Sequence, residues 1–187
     1  MRLLSTLAAL LIAVASHAAP EIGKPAPEFT AKSASGQPIK LSDYKGKIVV
    51  LEWYNPGCPY VQKFYEPGKM QEFQKSVIAQ GGIWLTINTG GKVKDLAQRT
   101  YYPSTAVIDD ADGAVARAYE AKSTPHCFVI DEKGILAYKG AIDSIASTKK
   151  EDIEKATNYV LAAVKAVKEG KTPEVTSTKS YGCGVKY

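Results

Sequence analysis

The chain has 187 residues, 45% of them apolar, 23% charged and 9% aromatic, with 24 Lys and Arg against 19 Asp and Glu and a formal net charge of +5. This composition excludes a disordered tail, a collagen-like repeat and a multi-pass membrane protein, and the length fits one domain. The lysines are scattered, with no run longer than Lys149-Lys150 and no interleaved aromatics, so they read as a solvated surface rather than a nucleic-acid face.

Met1 to Ala18 carries one charge, Arg2, then an apolar stretch from Leu3 to Ala15 and the small-residue sequence Ser16-His17-Ala18. That order is the pattern of a secretory signal peptide cut after Ala18. A membrane anchor is the alternative, but the apolar run is shorter than the roughly 20 residues a spanning helix needs. The expected organisation is a signal peptide at 1–18, a domain at 19–170 and a flexible tail at 171–187, in a periplasmic or secreted protein with no membrane span after cleavage. Three cysteines, Cys58, Cys127 and Cys183, belong to the exported part. In an oxidising compartment a pair of them reads by default as a structural disulfide. Three is odd, so at least one thiol is free, reactive or paired outside the chain.

After an extended entry from Glu21 to Thr30, a short strand around Ile39 to Leu41 leads to Lys47–Trp53, whose β-branched, leucine and aromatic residues read as a buried central strand. Asn55-Pro56-Gly57 stops it. Cys58 to Ala79 then shows helical spacing, split by Pro67-Gly68 because proline lacks the N–H of the helical ladder, and Gly81-Gly82 ends it. Ile83 to Asn88 is the next strand, followed by a weak helix near Val93 to Arg99 and a short strand at Thr105 to Ile108. Asp109-Asp110-Ala111-Asp112-Gly113 reads as a turn with helix-capping acids, since the chelating Glu of a calcium loop is missing. A short helix at Val115 to Tyr119 follows it. Cys127 to Ile130 and Ile135 to Lys139 form a hairpin, and Thr148 with Glu151 reads as the capping box of a helix running to Gly170. The order is that of an α/β core with a mixed sheet flanked by helices, with its site at the carboxyl end of the central strand.

Pro59 suits the first helical position, which makes Cys58 the N-cap. Unpaired backbone N–H groups and the helix dipole there favour thiolate, the nucleophilic form. A small buried hydrophobe is the other reading of Cys58, for which a Pro-Gly-Cys-Pro turn is poorly placed.

Lys45–Trp53, Gly57-Cys58-Pro59-Tyr60-Val61 and Ser123–Asp131, together with the tail Gly182-Cys183-Gly184-Val185-Lys186, resemble the thioredoxin-like redoxins of the AhpC/TSA superfamily, within them a peroxiredoxin-like branch. The resemblance implies a three-layer thioredoxin-like fold with a central mixed β-sheet, and an exported thiol-disulfide oxidoreductase or weak thiol peroxidase. Thioredoxins carry Cys-x-x-Cys, whereas Val61 holds the second position here. A peroxiredoxin carries Pro-x-x-x-Thr-x-x-Cys, whereas Leu51 and Asn55 stand in those places.

By that resemblance Cys58 is the attacking cysteine and Glu52 the buried acid beneath it, able to relay protons if poorly solvated; a Glu reaching solvent at the strand end is the alternative. Pro125 matches the family's cis-proline, and Thr124 would then offer its backbone to an extended substrate. Tyr60 is the aromatic expected to touch substrate. His126 and Cys127 adjoin that turn, as core residues or as a second thiol or metal ligands. Cys183, on a tail long enough to reach Cys58, would resolve what Cys58 forms; a permanent staple or a pairing between chains is the alternative. No cofactor is expected. The partners are a protein thiol or disulfide, or a small peroxide, and a thiol reductant. Two other functions compete: a copper-binding protein using Cys58, His126 and Cys127 as soft ligands, and a redox-inert interaction module.

Overall fold

The computed structural model describes residues 19–90 and 103–187. The expected signal peptide and the expected weak helix near Val93 to Arg99 lie outside these residues. The elements are β1 (Thr30–Ser33), β2 (Pro38–Lys40), β3 (Val49–Trp53), α1 (Pro59–Tyr65), α2 (Lys69–Ala79), β4 (Ile83–Thr89), β5 (Ala106–Asp110), α3 (Ala114–Ala118), β6 (Ser123–Thr124), β7 (His126–Ile130), β8 (Leu136–Gly140), α4 (Tyr159–Lys168) and β9 (Cys183–Gly184), with 3-10 turns at Leu41–Tyr44 and Lys150–Asp152.

Seven strands form one sheet in the order β2-β1-β5-β4-β3-β7-β8. The pairs β3–β4 and β4–β5 are parallel and the others antiparallel, so the sheet is mixed. All five residues of β3 are buried, as a strand covered on both faces requires. Alternation divides them. Val49, Leu51 and Trp53 pack with Phe128, Ile130 and the α3 residues Val115 and Ala116. Val50 faces the other way, into Phe64, Met70 and Val77 of α1 and α2 and Val160, Ala163 and Val164 of α4. The result is a sheet with helices on both faces, the thioredoxin-like arrangement.

Three expectations are corrected. The stretch before Thr30 does not run straight into β2: Thr30–Ser33 forms β1, which pairs with β2 and β5. The last helix begins at Tyr159, not at Thr148, because Asn158 Oδ1 accepts the Leu161 N–H at 2.9 Å while the preceding polar residues close local turns. Thr157 N–H donates to Ser144 Oγ at 3.0 Å and Ser147 Oγ to Asp152 Oδ2 at 2.7 Å; such side-chain bonds compete with a helix. Third, the tail is docked rather than loose. Lys139 N–H donates to Thr176 O and Thr178 N–H to Lys139 O, each at 3.1 Å, and Val185 N–H donates to Lys122 O at 3.2 Å. Gly140 makes the first contact possible, since a Cβ there would stand 2.2 Å from Thr178 Oγ1.

Candidate active site

At the end of β3 the chain turns through Asn55-Pro56-Gly57, where Asn55 Oδ1 accepts the Gly57 N–H at 2.9 Å and Asn55 O the Cys58 N–H at 3.0 Å. Cys58 is extended (φ −89°, ψ 121°) at the N-cap of α1, with Pro59 at the first helical position. Its carbonyl accepts the N–H groups of Val61 and Gln62, each at 2.9 Å. The sulfur makes no capping bond. Although a Pro-Gly-Cys-Pro turn reads as poorly placed for the core, Cys58 is fully buried, packed with Tyr54 and Val61 and covered by Cys183.

Two chain segments meet at the Cys58 sulfur. From β6, Thr124 presents its carbonyl oxygen at 3.0 Å, which accepts from the thiol. From β9, the Cys183 N–H donates to Cys58 Sγ at 3.4 Å. Burial pushes the Cys58 pKa up, but the Cys183 thiol, the Thr124 side chain and the nearby backbone N–H groups outweigh it, and the pKa lies below the usual thiol value. Cys183 moves the other way, to about 11, because of burial and because its S–H is held by Cys58. The two shifts run in opposite directions and favour Cys58 over Cys183 as the thiolate.

The peptide between Thr124 and Pro125 is cis. Thr124 is buried and its backbone is already engaged, since β6 and β9 pair antiparallel with Thr124 opposite Cys183 and Ser123 opposite Gly184. Tyr60 stands half-buried at the rim, its ring 5.7 Å from that of Tyr181.

Glu52 faces the α1/α2 side of the sheet and does not reach solvent. Its carboxylate accepts from Trp84 Nε1 at 2.8 Å, from Tyr65 Oη at 2.9 and 3.0 Å, from Gln74 Nε2 at 3.3 Å and from Thr86 Oγ1 at 3.4 Å. Burial nevertheless dominates and lifts its pKa to about 7. Tyr65 touches both regions: its hydroxyl is held by this acid, and its ring packs against the Tyr54, Cys58 and Val61 cluster, 4.9 Å from the Tyr54 ring.

The structure separates His126 from Cys127. As neighbours on β7 they point to opposite faces: His126 stacks 4.5 Å from Phe128, and Cys127 lies in the core with Val50 and Trp84. Burial, then Lys122 and Lys139, push the His126 pKa down to about 4, so it is neutral. Burial, with Glu52 and Asp143 nearby, pushes the Cys127 thiol well up. Neither the second-thiol nor the shared-ligand expectation fits this placement, and among the described residues no three His, Cys, Asp or Glu side chains group as a metal site.

One buried group had no signal in the sequence. Lys63, on α1, is 1% exposed, and its amine donates to Asp143 Oδ2 at 2.9 Å and Ile145 O at 3.0 Å. The Tyr181 hydroxyl donates to Asp143 Oδ1, and the Lys63 amine lies 5.9 Å from the Tyr181 ring. A lysine at helical spacing among Val61 and Phe64 reads as solvated; its partners lie 80 and 118 positions away, so no local pattern reveals the pair.

The AhpC/TSA family pattern matches residues 22–139, which include β3, Cys58 and the Thr124-Pro125 turn. The chain belongs to the AhpC/TSA family. Among curated relatives it is similar to the thiol-disulfide oxidoreductase ResA of Geobacillus kaustophilus, 32% identical over 137 residues that span 72% of this chain and 75% of that protein. Among solved structures, an uncharacterized conserved protein from the same species superposes with a TM-score of 0.75 at 23% identity, covering 89% of this chain and 92% of the other. A putative thiol:disulfide interchange protein DsbE from Chlorobium tepidum superposes with a TM-score of 0.57 at 24% identity, covering 78% and 99%. At these identities the two structures speak for the fold.

Proposed function

We propose that this member of the family is a thiol-disulfide oxidoreductase with Cys58 as nucleophile and Cys183 as resolving thiol. The observation that carries the reading is the seating of Cys183 over Cys58, its N–H donating to the Cys58 sulfur at 3.4 Å, beside a Cys58 pKa below the usual thiol value. The Cys58 thiolate attacks one sulfur of a substrate disulfide, forming a Cys58–substrate mixed disulfide and expelling the other substrate sulfur as a thiolate that takes a proton from solvent. Cys183 then loses its proton and attacks Cys58. The Cys58–Cys183 bond forms, the remaining substrate thiol leaves, and two electrons have passed from the chain to the substrate. An external dithiol returns the pair to its reduced state.

Glu52 acts through Tyr65 as the nearby proton store, its pKa of about 7 matching neutral conditions. Thr124 and the cis Pro125 shape the floor of the site, and Tyr60 its rim. The peroxide route is the less favoured, because Leu51 and Asn55 replace the peroxidase motif and the sulfur is fully buried. Export through residues 1–18 is part of the proposal, with Ala19 as the first residue of the purified exported chain. The test follows a protein disulfide reduced at the expense of dithiothreitol. Cys58→Ser abolishes turnover, and Cys183→Ser accumulates a mixed disulfide seen as a mass adduct on Cys58. Turnover that survives in Cys58→Ser sinks the reading.

A further inference from the structure

The tail does more than carry Cys183. Residues Cys183 and Gly184 form an antiparallel strand on β6, so the open edge beside Thr124 is filled by the chain's own C-terminal segment. The approach is close: at Gly182 (φ +127°) a Cβ would stand 2.0 Å from Thr124 O, so only glycine fits this crossing. The segment is fastened on both sides of the sulfur. Before it, the Tyr181 hydroxyl is held by the buried Asp143 and its ring packs against Tyr60. After it, Val185 N–H donates to Lys122 O, and Tyr187 Oη donates to Ala121 O at 2.6 Å while its ring lies 5.1 Å from the Arg117 guanidinium. A cysteine flanked by glycines, extended and hydrogen-bonded over the nucleophile, is placed as the cysteine of a bound polypeptide would be.

We propose that residues 182–187 are an intramolecular competitor of the polypeptide substrate. The β6 edge accepts one extended segment at a time. With the tail seated, Cys58 is fully buried and closed to reagents from solvent. A substrate strand enters only when the tail lifts, and the tail returns to the same edge to bring Cys183 onto the mixed disulfide. The favoured partner is therefore an extended segment with a small residue, glycine above all, before its cysteine, since Gly182 is where the two backbones nearly touch. The inference rests on Cys58 being the reactive thiol of the proposed function, and its test is independent of disulfide turnover.

The experiment follows alkylation of Cys58 in the reduced full-length chain by iodoacetamide, read by peptide mass mapping across pH. Two quantities emerge: the plateau rate at high pH, which reports access, and the midpoint, which reports the thiol pKa. In Gly182→Ala the added Cβ drives the strand off Thr124. The plateau rises about ten-fold or more, as modification that waits on local opening must. The midpoint rises too, because the Cys183 donors leave. A synthetic peptide of residues 180–187 carrying Cys183→Ser restores slow alkylation in the variant. Tyr187→Ala, which removes the terminal fastening alone, moves both quantities the same way by a smaller factor. Unchanged plateaus in both variants, with native circular dichroism, overturn the inference, as does a peptide that gives no protection. A raised plateau alongside turnover that survives Cys58→Ser overturns the proposed function and leaves the seated tail standing.

Discussion

Glu52 is the residue whose energetics the fold exposes most directly. An unfolded chain leaves its carboxyl near pKa 4.5, and burial raises it to about 7. Between those values the folded chain binds more protons than the unfolded one, so this group makes stability fall as pH rises through that window. Raising the carboxyl from 4.5 to about 7 corresponds to about 3 kcal/mol, lost progressively between those pH values and absent from a neutral side chain. The perturbation is Glu52→Gln. Glutamine keeps an oxygen for Trp84 Nε1, and its NH2, in the place of Oε1, meets the Tyr65 hydroxyl oxygen, which can accept. Urea unfolding of the reduced chain at pH 4.5 and pH 8, compared between wild type and variant, isolates the group by double difference. The variant gains about 3 kcal/mol on the wild type in going from the lower to the higher pH. Parallel pH dependences, or a variant that loses ground at pH 8, refute the assignment of a costly buried carboxylate.

Three further outcomes test the rest of the site. Cys183→Ala removes the S–H donor from Cys58, and the Cys58 pKa rises, seen as a shift of the thiolate absorbance at 240 nm toward higher pH; a fall contradicts the donor role. Lys63→Met leaves Asp143 buried without its cation and costs about 3–5 kcal/mol in urea unfolding, whereas adding Asp143→Asn recovers part of the loss; a cost under 1 kcal/mol contradicts burial of the pair. Asp110→Ala frees the Val115 and Ala116 N–H groups, which its carboxylate accepts at 2.8 and 3.0 Å, and costs about 1–2 kcal/mol, measured in the same way.

What could be read from sequence is local. The β-branched, leucine and aromatic run in Lys47–Trp53, the proline break at Pro67-Gly68 and Pro59 after Cys58 are each decided within a few residues, and β3, at Val49–Trp53 within that run, the α1/α2 split and the N-cap follow those signals. In the acidic turn read as capping, Asp112 accepts the Ala114 N–H and Asp110 those of Val115 and Ala116, the first turn of α3. The false start at Thr148 is local as well. A capping box describes an opportunity, and Ser144, Ser147 and Asn158 offered the same backbone other partners.

The parts that escaped are those whose chemistry is assembled across the chain. Glu52 has an ambiguous pattern because a carboxylate on a strand is buried or exposed according to donors that arrive from Tyr65, Gln74 and Trp84, on two helices and the neighbouring strand. The tail has no hydrophobic period because it docks by backbone pairing and a few aromatic fastenings, in which a glycine is worth more than a leucine. These two features share a physical logic. Each places a polar group in a dry site where partners decide its charge: the carboxyl keeps its proton longer than usual, and the Cys58 thiol gives its proton up sooner. A single Cys-x-x-Cys would have supplied the second thiol from within one helical turn. With Val61 in that position, the proposed mechanism takes its second thiol from Cys183, 125 residues away, and the same strand that brings it there also covers Cys58.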